Sequence, residues 1–262
     1  RAVITLLADM TGDGIVGDNT LEGNEESLRA YDIVVQLDQL RFANRLSGRL
    51  ADQKSVVNFR EHSRDALAYA MADRIDQVAF LTMSGIAYSL KNNGALRPVL
   101  TTGQNLSDLA YSGDVSAPTS NRHRRWDASL GLVAGSTAAT VAADTISYQT
   151  MVALKAYAKD NYIRGIRGAA GEEVYHLFVT PQVMADLKLD SDFLANVRNA
   201  GVRGPSNELF AGSSSLMVDG VMIHEYRHVF NTSGATSGAS GNAGSNGYKW
   251  GANATIDGAA LL

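Results

Sequence analysis

The clearest pattern of apolar and polar positions is a helical repeat that begins shortly after residue 55. Its recurring positions would share one face of a helix: Phe59, Ser63, Leu67, Met71, Ile75 and Val78. Charged residues occupy much of the rest, as in helices that pack against a core on one side only. The stretch contains no proline, and Gly85 is suited to ending a helix. The pattern predicts one helix of about 28 residues, roughly 42 Å long.

Two apolar runs near the start of the chain flank an acidic segment. The runs "VITLL" and "YDIVVQL" are rich in β-branched residues and predict strands. Between them, residues 9–26 carry six acidic side chains and no basic one: Asp9, Asp13, Asp18, Glu22, Glu25 and Glu26. We interpret this region as an extended hairpin with a long, charged tip.

The region after residue 145 combines short helices and strands. Ser147 and Thr180 are suited to capping helices, and Ser191 is predicted to begin a third. The run "EVYHLFVT" predicts a buried strand between the first two helices. Further on, Asp219 and Gly220 separate two runs rich in Val, Ile and Met, which is typical of a type I′ β-hairpin. This order predicts a compact unit of helices and strands.

Composition limits the classes of function. The chain has 262 residues, 45% of them apolar, which is enough for one or two domains with a sizeable core. It contains no cysteine, which excludes thiolate zinc sites and a cysteine nucleophile. A net charge of −4 argues against nucleic-acid binding through a basic surface. No apolar run suffices to cross a bilayer, so we expect no membrane contact. Because the chain begins at Arg1 and ends abruptly after "YKWGANATIDGAALL", we expect the natural protein to extend beyond both ends.

The sequence "HEYRH" matches the H-E-x-x-H pattern of zinc proteases. That site requires a helix, because only there do histidines four residues apart share one face at metal-binding distance. The flanking runs instead predict that His224 and His228 lie on a strand, about 13 Å apart. No histidine, cysteine or glutamate follows His228 as a third ligand. We therefore expect no metal and no catalytic residue, and a zinc-dependent hydrolase using His224, Glu225 and His228 is kept as an alternative of another class.

Two further motifs lack their usual context. Residues 12–17 match the dinucleotide-binding pattern G-x-G-x-x-G, but the following "DNTLEG" is a poor helix start, and the acids would repel a phosphate. Asp9, Thr11, Asp13 and Gly14 fit the start of an EF-hand calcium loop, yet Thr20 stands where a bidentate glutamate is needed. We expect no cofactor, with an adventitious cation site as the alternative.

A short basic cluster, "NRHRRW", contains Arg122, Arg124 and Arg125. Such clusters are common on solvated loops, which is one interpretation. The other is an ion-pair contact with the acidic hairpin of a neighbouring copy, in which each exposed pair contributes at most about 1 kcal/mol. The six hairpin acids and these three arginines are therefore our candidates for contacts between subunits.

Four stretches of the chain together carry a family resemblance. They are "TGDGIVGDNTLEGNEES", the segment from "IVVQLDQLRF" through "NFREHSRDALAYAMADRIDQVAF", "HLFVTPQVMADLKLD" and "NELFAGSSSLMVDGVMIHEYRHV". The chain resembles the major capsid proteins of tailed double-stranded DNA phages, in particular those of N-four-like podoviruses. The resemblance covers most of the chain, from about Thr5 to Val229.

The resemblance implies an α+β fold of the Hong Kong 97 type. In that fold an extended hairpin, the E-loop, reaches over the adjacent subunit. A long spine helix lies in the peripheral P domain, and an α/β A domain points to the capsomer centre. Carried over, residues 1–50 would form the N-terminal segment and E-loop. Residues 51–129 would form the P domain, with the spine helix at about 54–85. Residues 130–225 would form the A domain, and 226–262 would return to the P domain.

The implied function is structural and not enzymatic. The protein would assemble with itself into hexamers and pentamers of an icosahedral shell around phage double-stranded DNA, without sequence-specific contacts to that DNA. Its other expected partners are scaffolding, portal and cement or decoration proteins. It would be assembled in the host cytoplasm and reside in the virion capsid. The alternative within the same fold is an encapsulin-like nanocompartment shell.

One departure concerns covalent joining. The founding member of this fold links its subunits through a lysine on the E-loop. Here no lysine occurs before Lys54, so we predict a shell held by non-covalent contacts.

Overall fold

The computed structural model describes residues 2–8, 10, 12–35, 37–45, 58–119, 121–134, 140–141, 143–168, 173–200, 215–234 and 260–261. Within these ranges the chain combines a separate two-stranded ribbon, one long helix, and a sheet with three shorter helices. The predicted mixture of helices and strands is therefore confirmed.

The ribbon is the predicted N-terminal hairpin. Strand β1 (Ala2–Leu7) pairs antiparallel with β2 (Ala30–Val35), and the register joins Ala2 to Val35 and Leu7 to Ala30. Every residue of both strands is exposed to solvent. The β-branched side chains explain the extended backbone, but nothing in the described part of the chain buries either face.

Helix α1 (Phe59–Ser84) confirms the predicted long helix, of which residues 54–57 lie outside the described ranges. Five of the six predicted core-facing positions are half-buried: Phe59, Ser63, Leu67, Met71 and Val78. The prediction for the sixth position was wrong, because Ile75 is 58% exposed. Full burial occurs only near the end of the helix, at Phe80, Leu81 and Ser84.

Gly85 ends α1 in the left-handed conformation, with φ of 68°. The N–H groups of Gly85 and Ile86 donate to the carbonyls of Thr82 and Leu81, which closes the last turn. A Cβ at position 85 would lie 2.3 Å from the carbonyl oxygen of Ser116. Glycine is therefore required both by the backbone conformation and by the close approach of the following loop.

A first core surrounds this helix end. It consists of Leu81, Ile86, Tyr88, Leu90 and Phe230. Two 3-10 turns, Leu106–Asp108 and Ser112–Asp114, lie in the loop that covers it, and Leu106, Leu109 and Val115 pack against it from there.

The second core lies under a mixed sheet. After the small hairpin β3 (Arg125–Asp127) and β4 (Gly131–Val133), the chain forms α2 (Tyr148–Asp160), β5 (Ile166–Arg167), β6 (Glu173–Val179), α3 (Pro181–Leu189), α4 (Ser191–Ala200), β7 (Ser215–Val218), β8 (Val221–Glu225) and β9 (Ala260–Leu261). The strand order is β5-β6-β8-β7, with β6 and β8 parallel and β9 also paired to β6. The helices cover one face of this sheet through Met151, Ala158, Met184, Leu187 and Phe193, which pack on Tyr175, Leu177, Val179, Leu216, Val221 and Ile223.

The predicted boundaries of this unit are largely confirmed. Thr180 caps α3, its hydroxyl accepting from the N–H of Val183. Asp219 and Gly220 have φ of 47° and 78°, as a type I′ turn requires. Helix α4 begins at Ser191, as predicted. The residue before it supplies the cap: the Asp190 carboxylate accepts from the N–H of Phe193, and also from that of Tyr148 at the start of α2.

Within the described ranges, no helix combines the length and the apolar composition that a membrane span needs.

Candidate assembly interface

The two faces of the N-terminal ribbon differ in composition. Because antiparallel partners point to the same side, one face carries only apolar side chains: Ala2, Ile4, Leu6, Tyr31, Ile33 and Val35. The opposite face has a polar centre, where the Thr5 hydroxyl donates to Asp32 over 2.7 Å. The large side chains of the apolar face are between 41% and 56% exposed. Exposed apolar faces of this kind are typical of surfaces that bind another molecule.

The hairpin tip is organised by its own acids. The N–H of Gly12 donates to Glu26 over 2.8 Å, which ties the two sides of the tip together, and the N–H of Gly23 donates to Glu25 over 2.9 Å. Asp13, Asp18 and Glu22 are exposed, and no hydrogen bond or ion pair joins them to another described residue. Asp9 lies outside the described residues. The tip thus combines internal order with three uncompensated carboxylates.

The tip does not resemble a nucleotide site. Gly14 and Gly17 adopt positive φ of 75° and 72°, and no helix begins after them in the described part of the tip. A pyrophosphate would therefore find no helix N-terminus at this place. Of the calcium-loop candidates, Thr11, like Asp9, lies outside the described residues.

The three arginines of the basic cluster have different environments. Arg122 is exposed. The guanidinium of Arg124 donates to the Tyr157 hydroxyl over 2.7 Å and lies 4.6 Å from the centre of that ring. Arg125 is 12% exposed and forms ion pairs with Asp127 and Asp144 at 3.2 and 3.6 Å. Two of the three arginines, Arg124 and Arg125, are therefore already engaged by residues of their own subunit. Contacts of the three arginines with other subunits stay a prediction.

The "HEYRH" segment does not form the helix that a zinc protease requires. His224 lies on β8, whereas His228 lies in a turn after the strand ends at Glu225, so the prediction of two histidines on one strand was wrong for His228. Pairing continues only to Tyr226, whose N–H donates to the carbonyl of Val179, and then the chain turns towards α1. In the described ranges no three residues of the metal-ligating types converge.

His224 and His228 have separate partners. The Nε2 atom of His224 lies 2.9 Å from Nδ1 of His176 on the neighbouring strand, with the two rings stacked. Burial and the neighbouring His176 lower the pKa of His224. His228 instead contacts Asp73 of α1, with 2.8 Å between Nε2 and the carboxylate. The two imidazoles therefore do not point to a common ligand.

The turn after β8 joins the two cores through a polar cluster that the sequence pattern did not reveal. Asp73 accepts from both Arg227 and His228, and the Tyr226 hydroxyl donates to Asp76. Burial opposes ionisation of Asp73, but the hydrogen bonds and positive charges of His228 and Arg227 outweigh it and lower the pKa of this carboxyl. The available signal was the three-residue spacing of Asp73 and Asp76, which places both on one side of a helix.

Apolar contacts reinforce this junction. Phe80 of α1 stacks on Tyr226 and meets Phe178 of β6 edge to face, with ring centres 5.0 and 5.5 Å apart. The Asn92 amide also donates to the carbonyl of His228 over 2.7 Å. The segment after β8 therefore fixes the long helix against the sheet.

Comparison with known proteins agrees with this fold. A sequence profile described as "Phage capsid protein" matches residues 2–262. The chain is 52% identical over 264 residues to the "Major capsid protein" of Pseudomonas phage KPP25, covering all of this chain and 66% of that protein. The chain therefore spans slightly less than two thirds of this relative.

Two solved structures share the fold. The "Capsid of Ralstonia phage GP4" superposes with a TM-score of 0.61 at 22% identity, covering 88% of this chain and 62% of the other. The "Cyanophage Pam1 capsid asymmetric unit" gives 0.57 at 16% identity, covering 86% and 61%. The resemblance inferred from the sequence is confirmed: the chain belongs to the phage capsid protein family.

Proposed function

We propose that this chain is the shell-forming part of a major capsid protein, which assembles with copies of itself into an icosahedral shell. The observation that carries the proposal is the ribbon β1–β2, whose wholly apolar face is exposed. A two-stranded hairpin by itself is marginally stable in water, so a partner surface is needed to hold it in this form. The 52% identical relative bears the name "Major capsid protein", which supports the same role.

Assembly through such arms has a simple energetic basis. Burial of apolar area contributes about 25 cal/mol per Å², and each arm that lies on a neighbour adds area that the isolated subunit leaves exposed. Permanent interfaces between subunits reach thousands of Å² in this way. The contacts would be non-covalent, because residues 1–53, which would include the E-loop, contain no lysine. A denaturing gel of assembled particles should therefore show only monomers, and a ladder of linked subunits would contradict this.

The Hong Kong 97-type arrangement is part of the proposal. The ribbon and its tip correspond to the E-loop within residues 1–50, and α1 corresponds to the spine helix of a P domain at 51–129. The helices and strands β5 to β8 after residue 145 correspond to the A domain at 130–225. Residues 226–262 would return to the P domain, except that β9 pairs with β6 of the A-domain sheet. The contacts of Tyr226, Arg227 and His228 with α1 support a return at this point.

The shell would enclose double-stranded DNA and meet scaffolding, portal and cement proteins. The net charge of −4 gives the shell no overall electrostatic attraction for DNA. This charge is compatible with DNA that a motor forces into the shell, rather than DNA that the shell itself condenses. We place its assembly in the host cytoplasm and its final position in the virion. We propose no catalytic activity for it.

Electron microscopy of the purified full-length protein tests the proposal. We expect uniform icosahedral particles tens of nanometres across that contain DNA when isolated from virions. Particles filled with protein cargo would favour the encapsulin-like alternative. If the protein forms no particles even with its scaffolding protein present, the shell-forming role is excluded.

A matched pair of variants tests the role of the ribbon. Ile33→Asp places a charge on the apolar face, and Val34→Asp places the same charge one residue away on the opposite face. We expect Ile33→Asp to abolish particles and Val34→Asp to retain them, with unassembled subunits of unchanged secondary structure in both cases. Equal assembly of the two variants would show that the apolar face is not the contact surface.

A further inference from the structure

Arg74 and Arg97 converge on one neutral amide. The guanidinium of Arg74 on α1 donates to the side-chain oxygen of Gln77 over 2.9 Å, and that of Arg97 donates to the same oxygen over 3.2 Å. Arg97 also donates to the carbonyl of Leu90 over 2.9 Å, which fixes its position. Neither arginine forms an ion pair with any carboxylate in the described part of the chain.

This arrangement leaves positive charge uncompensated at a half-buried place. Burial first, and the charge of Arg74 second, lower the pKa of Arg97 to about 10. The Asp73 carboxylate accepts from the amide nitrogen of Gln77, and it is already shared by Arg227 and His228. Each guanidinium has five N–H donors, of which Gln77 and Leu90 take few. Two such groups together suit a carboxylate, which accepts several charge-assisted hydrogen bonds at once.

The complementary group is present on the same chain. Asp13, Asp18 and Glu22 at the hairpin tip are exposed and have no partner among the described residues. The basic cluster at 122–125 is less available, because Arg124 and Arg125 are engaged by Tyr157, Asp127 and Asp144. One surface thus has arginines without acids, and the other has acids without arginines.

We propose that the Arg74–Arg97 pair of one copy receives a carboxylate from the hairpin tip of a second copy, namely that of Asp13, Asp18 or Glu22. This inference rests on the proposed assembly function and names the surface on which the tip docks. A phosphate of packaged DNA is the competing occupant. The tip is favoured because every subunit has three acids there without a partner among the described residues, whereas two arginines alone make a small surface for DNA.

These 262 residues contain no cysteine, which makes a direct test possible. Arg74→Cys is combined in turn with Asp13→Cys, Asp18→Cys and Glu22→Cys in the full-length protein, in which any cysteine outside these residues is replaced by serine, and assembled particles are treated with a short bismaleimide. We expect one combination to give covalently linked dimers and higher multimers on a denaturing gel. Each single-cysteine variant is expected to give no ladder. The matched control is Arg60→Cys with the same three partners, which moves the thiol about 21 Å along the same helix.

A charge exchange provides a second measurement that does not depend on thiol chemistry. Arg74→Glu and Asp18→Arg (or the tip position found by cross-linking) should each lower particle yield several-fold. The two changes together should restore the yield, and Arg60→Glu should leave it unchanged. Circular dichroism of the unassembled variants separates an assembly defect from a folding defect.

The outcomes are distinguishable. Wild-type particles that form without preferential cross-linking at position 74, and without rescue by the charge exchange, would overturn this inference alone. Full particle yield of Arg74→Glu with reduced DNA content would overturn it in favour of a phosphate contact. If wild-type protein forms no particles, the proposed function fails and this inference fails with it.

Discussion

Two sets of strands in this protein have similar sequences but opposite environments. The ribbon β1–β2 and the central strands β6 and β8 are both rich in Val, Ile and Leu. Ile33 of the ribbon is 49% exposed, whereas Ile223 of β8 is completely buried. The difference arises from what covers each strand: α2, α3 and α4 lie on the sheet, and nothing described lies on the ribbon. The β-branched residues therefore specify extended backbone in both places, and only the sheet supplies its own core.

The largest effect should come from truncating the same residue type in the two regions. Ile223→Ala leaves a cavity in the sheet core and should lower the free energy of unfolding by about 2–5 kcal/mol. Ile33→Ala removes a half-exposed side chain and should change the stability of the unassembled subunit by less than about 0.5 kcal/mol. Chemical denaturation of both unassembled variants measures the difference. Equal losses would mean that the ribbon is buried within its own subunit.

Two glycines with positive φ, one in the packed part of the molecule and one in the hairpin, allow the same two regions to be compared at the backbone. Gly85→Ala should destabilise by about 2–3 kcal/mol, because the left-handed conformation costs about 1–2 kcal/mol and the new Cβ meets the Ser116 carbonyl. Gly17 of the hairpin tip has a similar φ of 72°, and a Cβ added there would have no atom within 4 Å among the described residues. Gly17→Ala should therefore show only the conformational cost. Thermal unfolding should separate the two variants, and a milder effect at Gly85 would mean that the loop at Ser116 moves aside.

These contrasts show which parts of the molecule the sequence predicts. The long helix, the two hairpins and the cap at Thr180 follow from local signals, namely apolar periodicity and turn residues. The family was identified separately, from the resemblance of four stretches of the sequence. Ile75 was assigned to the wrong side because α1 is fully buried only near its end, where the loop from Ile86 onward packs on it. The junction of Asp73, Arg227 and His228 was not predicted, because it joins residues about 150 positions apart and no local pattern encodes that contact.

Breaking the junction of Asp73 with Arg227 and His228 should lower the free energy of unfolding by an intermediate amount, and this loss should depend on pH. Asp73→Asn removes the charge that Arg227 and His228 contact and should cost about 1–2 kcal/mol at neutral pH. The pKa of Asp73 is lowered in the folded state. Its contribution is therefore present above the unfolded pKa of about 4 and is lost as pH falls through the lower folded pKa.

Unfolding measured from pH 7 to pH 2 tests this assignment. The wild-type protein should lose the Asp73 contribution only below about pH 4, and Asp73→Asn should show a shallower loss over that interval. Asp65→Asn is the control, because among the described residues Asp65 pairs only with its exposed neighbour Arg64. If Asp73→Asn loses as much stability between about pH 4 and pH 2 as the wild-type protein does, the contacts of Arg227 and His228 do not depend on this carboxylate.

The smallest change in the free energy of unfolding is expected from removing either of two threonine hydroxyls, one in the folded core and one on the ribbon. Thr180 is 4% exposed and caps α3, so Thr180→Ala should cost about 1 kcal/mol. Thr5 makes its hydrogen bond to Asp32 on the solvated face of the ribbon, where a cross-strand pair contributes roughly 0.2–1 kcal/mol. Thr5→Val keeps the shape and the strand preference, so it should change the stability of the unassembled subunit by less than about 0.5 kcal/mol. It should also leave particle yield unchanged, since the proposed contact uses the opposite face. A loss of particles in Thr5→Val without a loss of subunit stability would show that both faces of the ribbon are covered in the shell.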